Sequence, residues 1–125
     1  MSTTASKNLI IGLVGVCTAG KSTLRATLQA RGYSVRHIAQ EHSFVQDMWQ
    51  KIAKPDLLIF LDVSYEVSTE RRRLNWTKAE YDEQQRRLAH ARQHADFYLQ
   101  TDPLAPEEVA AQVLTFLGGM FNQAG

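Results

Sequence analysis

With 125 residues the chain has room for one domain and little more, and 44% apolar with 22% charged residues suits a globular protein with a buried core. A net charge of +1 excludes a global field that would draw it onto nucleic acid or an anionic membrane, and no apolar run approaches the roughly 20 residues of a membrane span. A single cysteine cannot close an internal disulfide and no credible export signal precedes it, so a reducing cytoplasm is the expected setting.

Residues 1–7 are small and polar and read as a disordered tail ahead of a single domain over 8–119. The first strand is expected over 9–14, apolar on both faces as a central parallel strand requires. It runs into Gly15-Val16-Cys17-Thr18-Ala19-Gly20-Lys21-Ser22-Thr23, a G-x-x-x-x-G-K-S pattern followed by a helix predicted over 21–30. Strand, glycine-rich loop and helix in that order form the phosphate-binding P-loop pattern. Gly15 and Gly20 allow backbone angles that let the N–H groups of the loop, Cys17, Thr18 and Ala19 among them, turn inward around a phosphate chain. The helix starting at Lys21 adds unpaired N–H groups and the positive end of its dipole. Lys21 is then expected on the β- and γ-phosphates, the Ser22 hydroxyl on Mg²⁺, and Thr23 at the α-phosphate. The competing readings are a glycine turn that merely ends a strand, or a signal-peptide core with a lipidated Cys17. The second is disfavoured by a short apolar run, one preceding cation at Lys7, and Val16 where a small residue is wanted. Cys17 itself reads as a small apolar filler.

Arg31-Gly32 ends the first helix, and Tyr33–Ala39 reads as a more polar strand at a sheet edge. The short link between the two strands holds one crossover helix, so they pair in parallel. Ser43 and Gln46 form a capping-box pattern opening a helix over about 44–53, with Phe44, Val45, Met48, Trp49 and Ile52 as a broad apolar face. Lys54-Pro55 stops it, and the apolar run Asp56–Val63 is a second central strand. Ser64 caps a helix over about 65–75 that carries Arg71, Arg72 and Arg73. Thr77 with Glu80, and Trp76 with Tyr81, mark the start of a helix over 78–94 that is polar nearly all round apart from a Tyr81–Leu88 seam. Arg86, Arg87, His90 and His94 fall on the side away from that seam. A fourth strand is expected over 95–101 and a final helix from Pro106 to about 117, with Val109, Val113, Phe116 and Leu117 inward.

These elements predict an α/β three-layer P-loop NTPase fold: about four parallel strands in order 2-1-3-4, with helices on both faces. One helix links each of the first strand pairs, whereas two lie between strands three and four. The surplus reads as a two-helix lid over about 64–95, and six of the nine arginines lie in it, as a phosphate clamp requires. Two acids compete for the metal or for the acceptor's proton. Asp62 ends the third strand after four apolar residues, and Glu41 follows the second strand in Gln40-Glu41-His42. Asp62 could instead cap a helix, and Glu41 could be a solvated loop charge. His42 reads as a loop residue, and the His90–His94 pair lacks a third ligand for zinc.

GVCTAGKST, DLLIFLDVSYEVSTERRR and ADFYLQTDPLAPEEVAAQVLTFL, in that order, resemble the P-loop kinases of nucleosides, nucleotides and related metabolites. The resemblance covers most of residues 9–117, and only the P-loop segment is specific. It implies a Mg²⁺- and ATP-dependent phosphotransferase, with Arg71 and Arg73 matching the E-R and lid arginines at the phosphates and Arg87 as a further lid candidate. It also implies that residues 101–104, Asp102 among them, flank the adenine, and that Glu41 matches a glutamate that acts as base on the acceptor hydroxyl. The chain departs from the family between strands two and three, where 17 residues stand in place of a further strand and a substrate module. The expected partners are a nucleoside triphosphate and an undetermined small acceptor, with no nucleic acid and no membrane. A homodimer could complete a shortened acceptor site. The alternative function is an ATPase or a nucleotide-dependent switch acting on a protein partner.

Overall fold

The computed structural model describes residues 9–16, 19–72 and 76–124. The expected tail over 1–7, and Cys17, Thr18 and Arg73, lie outside them. Strands β1 (Ile10–Gly15), β2 (Ser34–His37), β3 (Leu57–Asp62) and β4 (Phe97–Gln100) form one sheet in the order β2-β1-β3-β4, parallel throughout. This is the expected α/β sheet and strand order. β3 is buried along its whole length and β1 nearly so, which is why both read as continuous apolar runs.

Helix α1 (Lys21–Ala30) follows β1, α2 (Tyr65–Arg72) and α3 (Lys78–His94) lie between β3 and β4, and α4 (Pro106–Ala124) closes the chain. The helices cover both faces. Phe97 of β4 stacks on Phe116 of α4 on one side, with ring centroids 4.6 Å apart. On the other side Phe60 stacks on Tyr98, and the Arg92 guanidinium of α3 lies 4.8 Å from the Phe60 ring centre. No described helix is long and apolar enough to cross a membrane.

Two expectations about the elements are corrected. The stretch read as a two-helix lid is not detached from the body. Gln84, Leu88 and Ala91 of α3 are buried, and the helix lies against β1, β3 and the turn after β2, so α3 is the crossover helix of the sheet. It looks polar, yet two of its polar side chains, Gln85 and Arg92, turn inward to Asp62 at the end of β3. Its start is as expected: Glu80 N–H donates to Thr77 Oγ1 (3.1 Å) and Thr77 N–H to Glu80 Oε1 (2.8 Å), while Trp76 meets Tyr81 edge to face.

The helix expected over 44–53 does not form. In its place are a 3₁₀ turn, Gln40–His42, and a single π-helical turn, Trp49–Ala53. The buried Gln40 amide explains the loss. Its Nε2 donates to the Val45 carbonyl (2.8 Å), and its Oε1 accepts from the Trp49 N–H (2.8 Å). Those are the two backbone groups that an α-helix would pair with each other, so the side chain intercepts the ladder. Gln46 does not complete a capping box but reaches the Arg86 carbonyl, 2.7 Å away. Trp49 is buried as expected, with its Nε1–H on His90 Nδ1 (3.0 Å), while Phe44, Val45 and Ile52 are exposed.

Candidate functional site

β1 ends at Gly15, where φ is +153° and an added Cβ would stand 2.0 Å from the Leu61 carbonyl oxygen. Only glycine allows both that angle and that approach of β3. The Ala19 N–H bonds back to the Val16 carbonyl (3.1 Å), and Gly20, at φ +98°, turns the chain into α1. α1 therefore begins at Lys21 with its first N–H groups at the carboxyl edge of the sheet, where parallel α/β folds bind ligands.

Lys21 is only 5% exposed and Glu41 4%, and the two are paired: Lys21 Nζ lies 2.7 Å from Glu41 Oε2 and also donates to the Gly15 carbonyl. The second carboxylate oxygen, Glu41 Oε1, is buried with no hydrogen-bond partner among the described residues. His42 Nε2 approaches Glu41 Oε2 only to 3.9 Å. An ionised pair kept from water is expensive unless something else completes its bonding, so the orphan oxygen points to a missing donor or cation.

The pair forms one wall of a cavity of about 470 Å³ lined by Gly20, Lys21, Ser22, Thr23, His37, Glu41 and Arg71. Gly20 and Arg71 also line a second cavity of about 260 Å³, with Ala19, Leu104, Pro106 and Val109. Together they make a trough along the glycine loop, with cations and hydroxyls at one end and apolar side chains at the other. Arg71 stands at the junction, its guanidinium donating to the Thr101 carbonyl (2.7 Å) and to Thr101 Oγ1 (3.1 Å).

Of the two candidate acids, the structure brings Glu41 to Lys21 and turns Asp62 elsewhere. Asp62 Oδ1 accepts from Val63 N–H (2.9 Å) and Gln85 Nε2 (3.1 Å), and Oδ2 accepts from the Tyr98 hydroxyl (2.6 Å) and Arg92 (3.3 Å). Four donors saturate it. Burial, then the bond to Asp62, pushes the Tyr98 phenol up to about 12, so this network keeps its protons at any physiological pH. Its role is to hold α3 and β4 to the end of β3.

Asp102 accepts from the Ser64 N–H (2.8 Å), which ties the loop after β4 to the start of α2, and Ser64 Oγ caps that helix on Val67 N–H (3.2 Å). Arg87 reaches neither cavity of the trough. It bonds Glu83 (3.1 Å) and the Glu41 carbonyl (3.4 Å) and stacks on Phe44 at 4.1 Å, bracing the turn that presents Glu41. His37 carries no motif in the sequence that marks it as a site residue. It was visible only as a polar interruption of an edge strand, yet it ends β2 in the cavity wall. Burial lowers its pKa, with Lys21 and Arg25 adding to the effect and Glu41 opposing it, which favours the neutral ring.

The oxygen donors facing the larger cavity, the Ser22 and Thr23 hydroxyls and the Glu41 carboxylate, suit a hard divalent cation such as Mg²⁺. Mg²⁺ needs few protein ligands when phosphate oxygens and water complete its shell. Comparison with protein-family models and with curated proteins finds no match to this chain.

Proposed function

We propose that the chain is a minimal P-loop phosphotransferase of the cytoplasm, which binds a nucleoside triphosphate with Mg²⁺ and transfers its γ-phosphoryl group to a small acceptor. The observation that carries this reading is the buried Lys21–Glu41 pair set on a glycine loop at a helix start, with a carboxylate oxygen left unbonded. On this reading Lys21 moves its ammonium from Glu41 to the β- and γ-phosphate oxygens, and the N–H groups at the start of α1 take the remaining charge. Ser22 and Glu41 would hold the cation, which when bound neutralises charge that develops on the phosphates. Arg71 lies between the polar and apolar ends of the trough, suited to clamp the phosphate chain, while Leu104, Pro106 and Val109 offer an apolar bed for the base. Once released from Lys21, Glu41 also has the chemistry to accept a proton from an acceptor hydroxyl.

A second reading, an ATPase or switch, draws on the same pair: a lysine that trades a carboxylate for a phosphate changes the position of the Glu41 turn with nucleotide state. Turnover of γ-labelled ATP with a panel of nucleosides, nucleotides and sugars separates the two. Label on an acceptor is expected for the phosphotransferase, whereas release only as inorganic phosphate, whatever the acceptor, would sink that reading and leave the ATPase.

A further inference from the structure

β2 is an edge strand, and among the described residues no strand pairs with its outer side. Its register with β1 sets Val35 and His37 on the α1 face and Arg36 on the face that carries the π-helical turn. The Ile38 N–H bonds to the Leu13 carbonyl (2.9 Å). By strand alternation the N–H and C=O groups of Val35 and His37 then point away from β1, toward the open edge. A groove of about 430 Å³ runs along this edge, lined by β2, by Arg25 of α1 on one face, and by Met48, Ile52 and Ala53 on the other. Since it touches consecutive β2 residues and elements of both faces, it straddles the strand edge.

Two features describe what would fill it. The first is apolar surface left uncovered: Ile52 is 70% exposed beside the buried Val35 and Ile38. The second is charge. Arg25 and Arg36 are exposed, no acid lines the groove, and neither arginine has an acidic partner among the described residues. A second copy of the chain fits poorly, because edge-to-edge pairing about a two-fold axis would bring the β2 arginines of both copies together. Residues 1–8 contain no acid, so the chain's own start lacks the complementary charge.

We propose that the β2 edge docks an extended peptide of a partner protein, with acidic residues on both of its faces and an apolar residue beside one of them, as a fifth strand of the sheet. Its backbone would pair with Val35 and His37; since successive side chains alternate in face, one acid would meet Arg25 on the α1 face, and on the other face an acid and an apolar residue two positions apart would meet Arg36 and Ile52. The site is independent of phosphoryl transfer and adjoins the loop cavity only at His37.

The test pans a displayed library of random eight-residue peptides on the full chain and measures the enriched peptides by fluorescence anisotropy and amide hydrogen exchange. Peptides with acids at both odd and even positions, hence on both faces, and an apolar residue two positions from one of them are expected, binding at least tenfold more weakly to Arg36→Glu and to Ile52→Asp and slowing exchange at the Val35 and His37 amides. Both substituted side chains are exposed, so the variants should fold, and the exchange pattern of the free variants verifies it. Enriched peptides without acids, equal binding to Arg36→Glu, unchanged exchange at Val35 and His37, or no enrichment at all would overturn the proposal. So would self-association of the free chain in sedimentation that Arg36→Glu alters, since that assigns the edge to a second copy.

Discussion

Lys21 and Glu41 each answer for the other's burial. Removing one charge from such a pair leaves its partner in a poorly solvated place without compensation, and that commonly costs about 3–5 kcal/mol. Lys21→Met is therefore expected to lose about 3 kcal/mol in urea unfolding of the free chain, and Lys21→Met/Glu41→Gln to lose less than the single variant. A double variant as unstable as the sum of the two singles would show that the charges are not coupled. Lys21 was legible from sequence because a short motif fixes its place on a strand-loop-helix unit. Asp62 was misleading for a physical reason. A strand that ends in Asp at the carboxyl edge has the pattern of a metal ligand, but side-chain direction alternates along a strand. Asp62 shares the Phe60 and Tyr98 face, where Gln85 and Arg92 of α3 claim it. Local pattern does not show which donors a strand-end carboxylate meets, and here four of them satisfy it.

At the scale of elements, β1, β3, α1, the start of α3 and α4 followed from periodicity and capping residues, because each is determined by neighbours within a few positions. The stretch 40–53 did not. Its apolar spacing is helical, and what prevents the helix is the side chain of Gln40, outside the segment and buried by α3. Gln40 makes three bonds to backbone, to Val45 C=O, Trp49 N–H and Arg87 C=O, each worth about 1 kcal/mol net. Gln40→Leu is expected to destabilise the chain by about 2 kcal/mol in urea unfolding. An unchanged midpoint would mean that 45–49 pair with each other once released and that the turn is not held by this residue. The same lack of long-range information turned α3 into an expected lid: helices that cover a sheet are ordinarily apolar on one stripe, whereas this one meets the sheet partly through hydrogen bonds to Asp62.

Over the whole molecule, a four-stranded parallel sheet brings the glycine loop, the turn after β2 and the loop after β4 to one edge, which is how residues as distant as Lys21, Glu41, Arg71 and Leu104 border one trough. The short chain between β2 and β3 forms only two helical turns and no further strand among the described residues, so β2 stands at the edge of the sheet. On the proposed function, the trough takes the phosphates of a Mg²⁺-bound nucleoside triphosphate. Calorimetric titration of the full chain with Mg-ATP is the most direct test of this, with the folded Lys21→Met/Glu41→Gln variant as control. Saturable one-to-one binding that falls at least tenfold in the control is expected. No binding by the native chain, or equal binding by both, would contradict it.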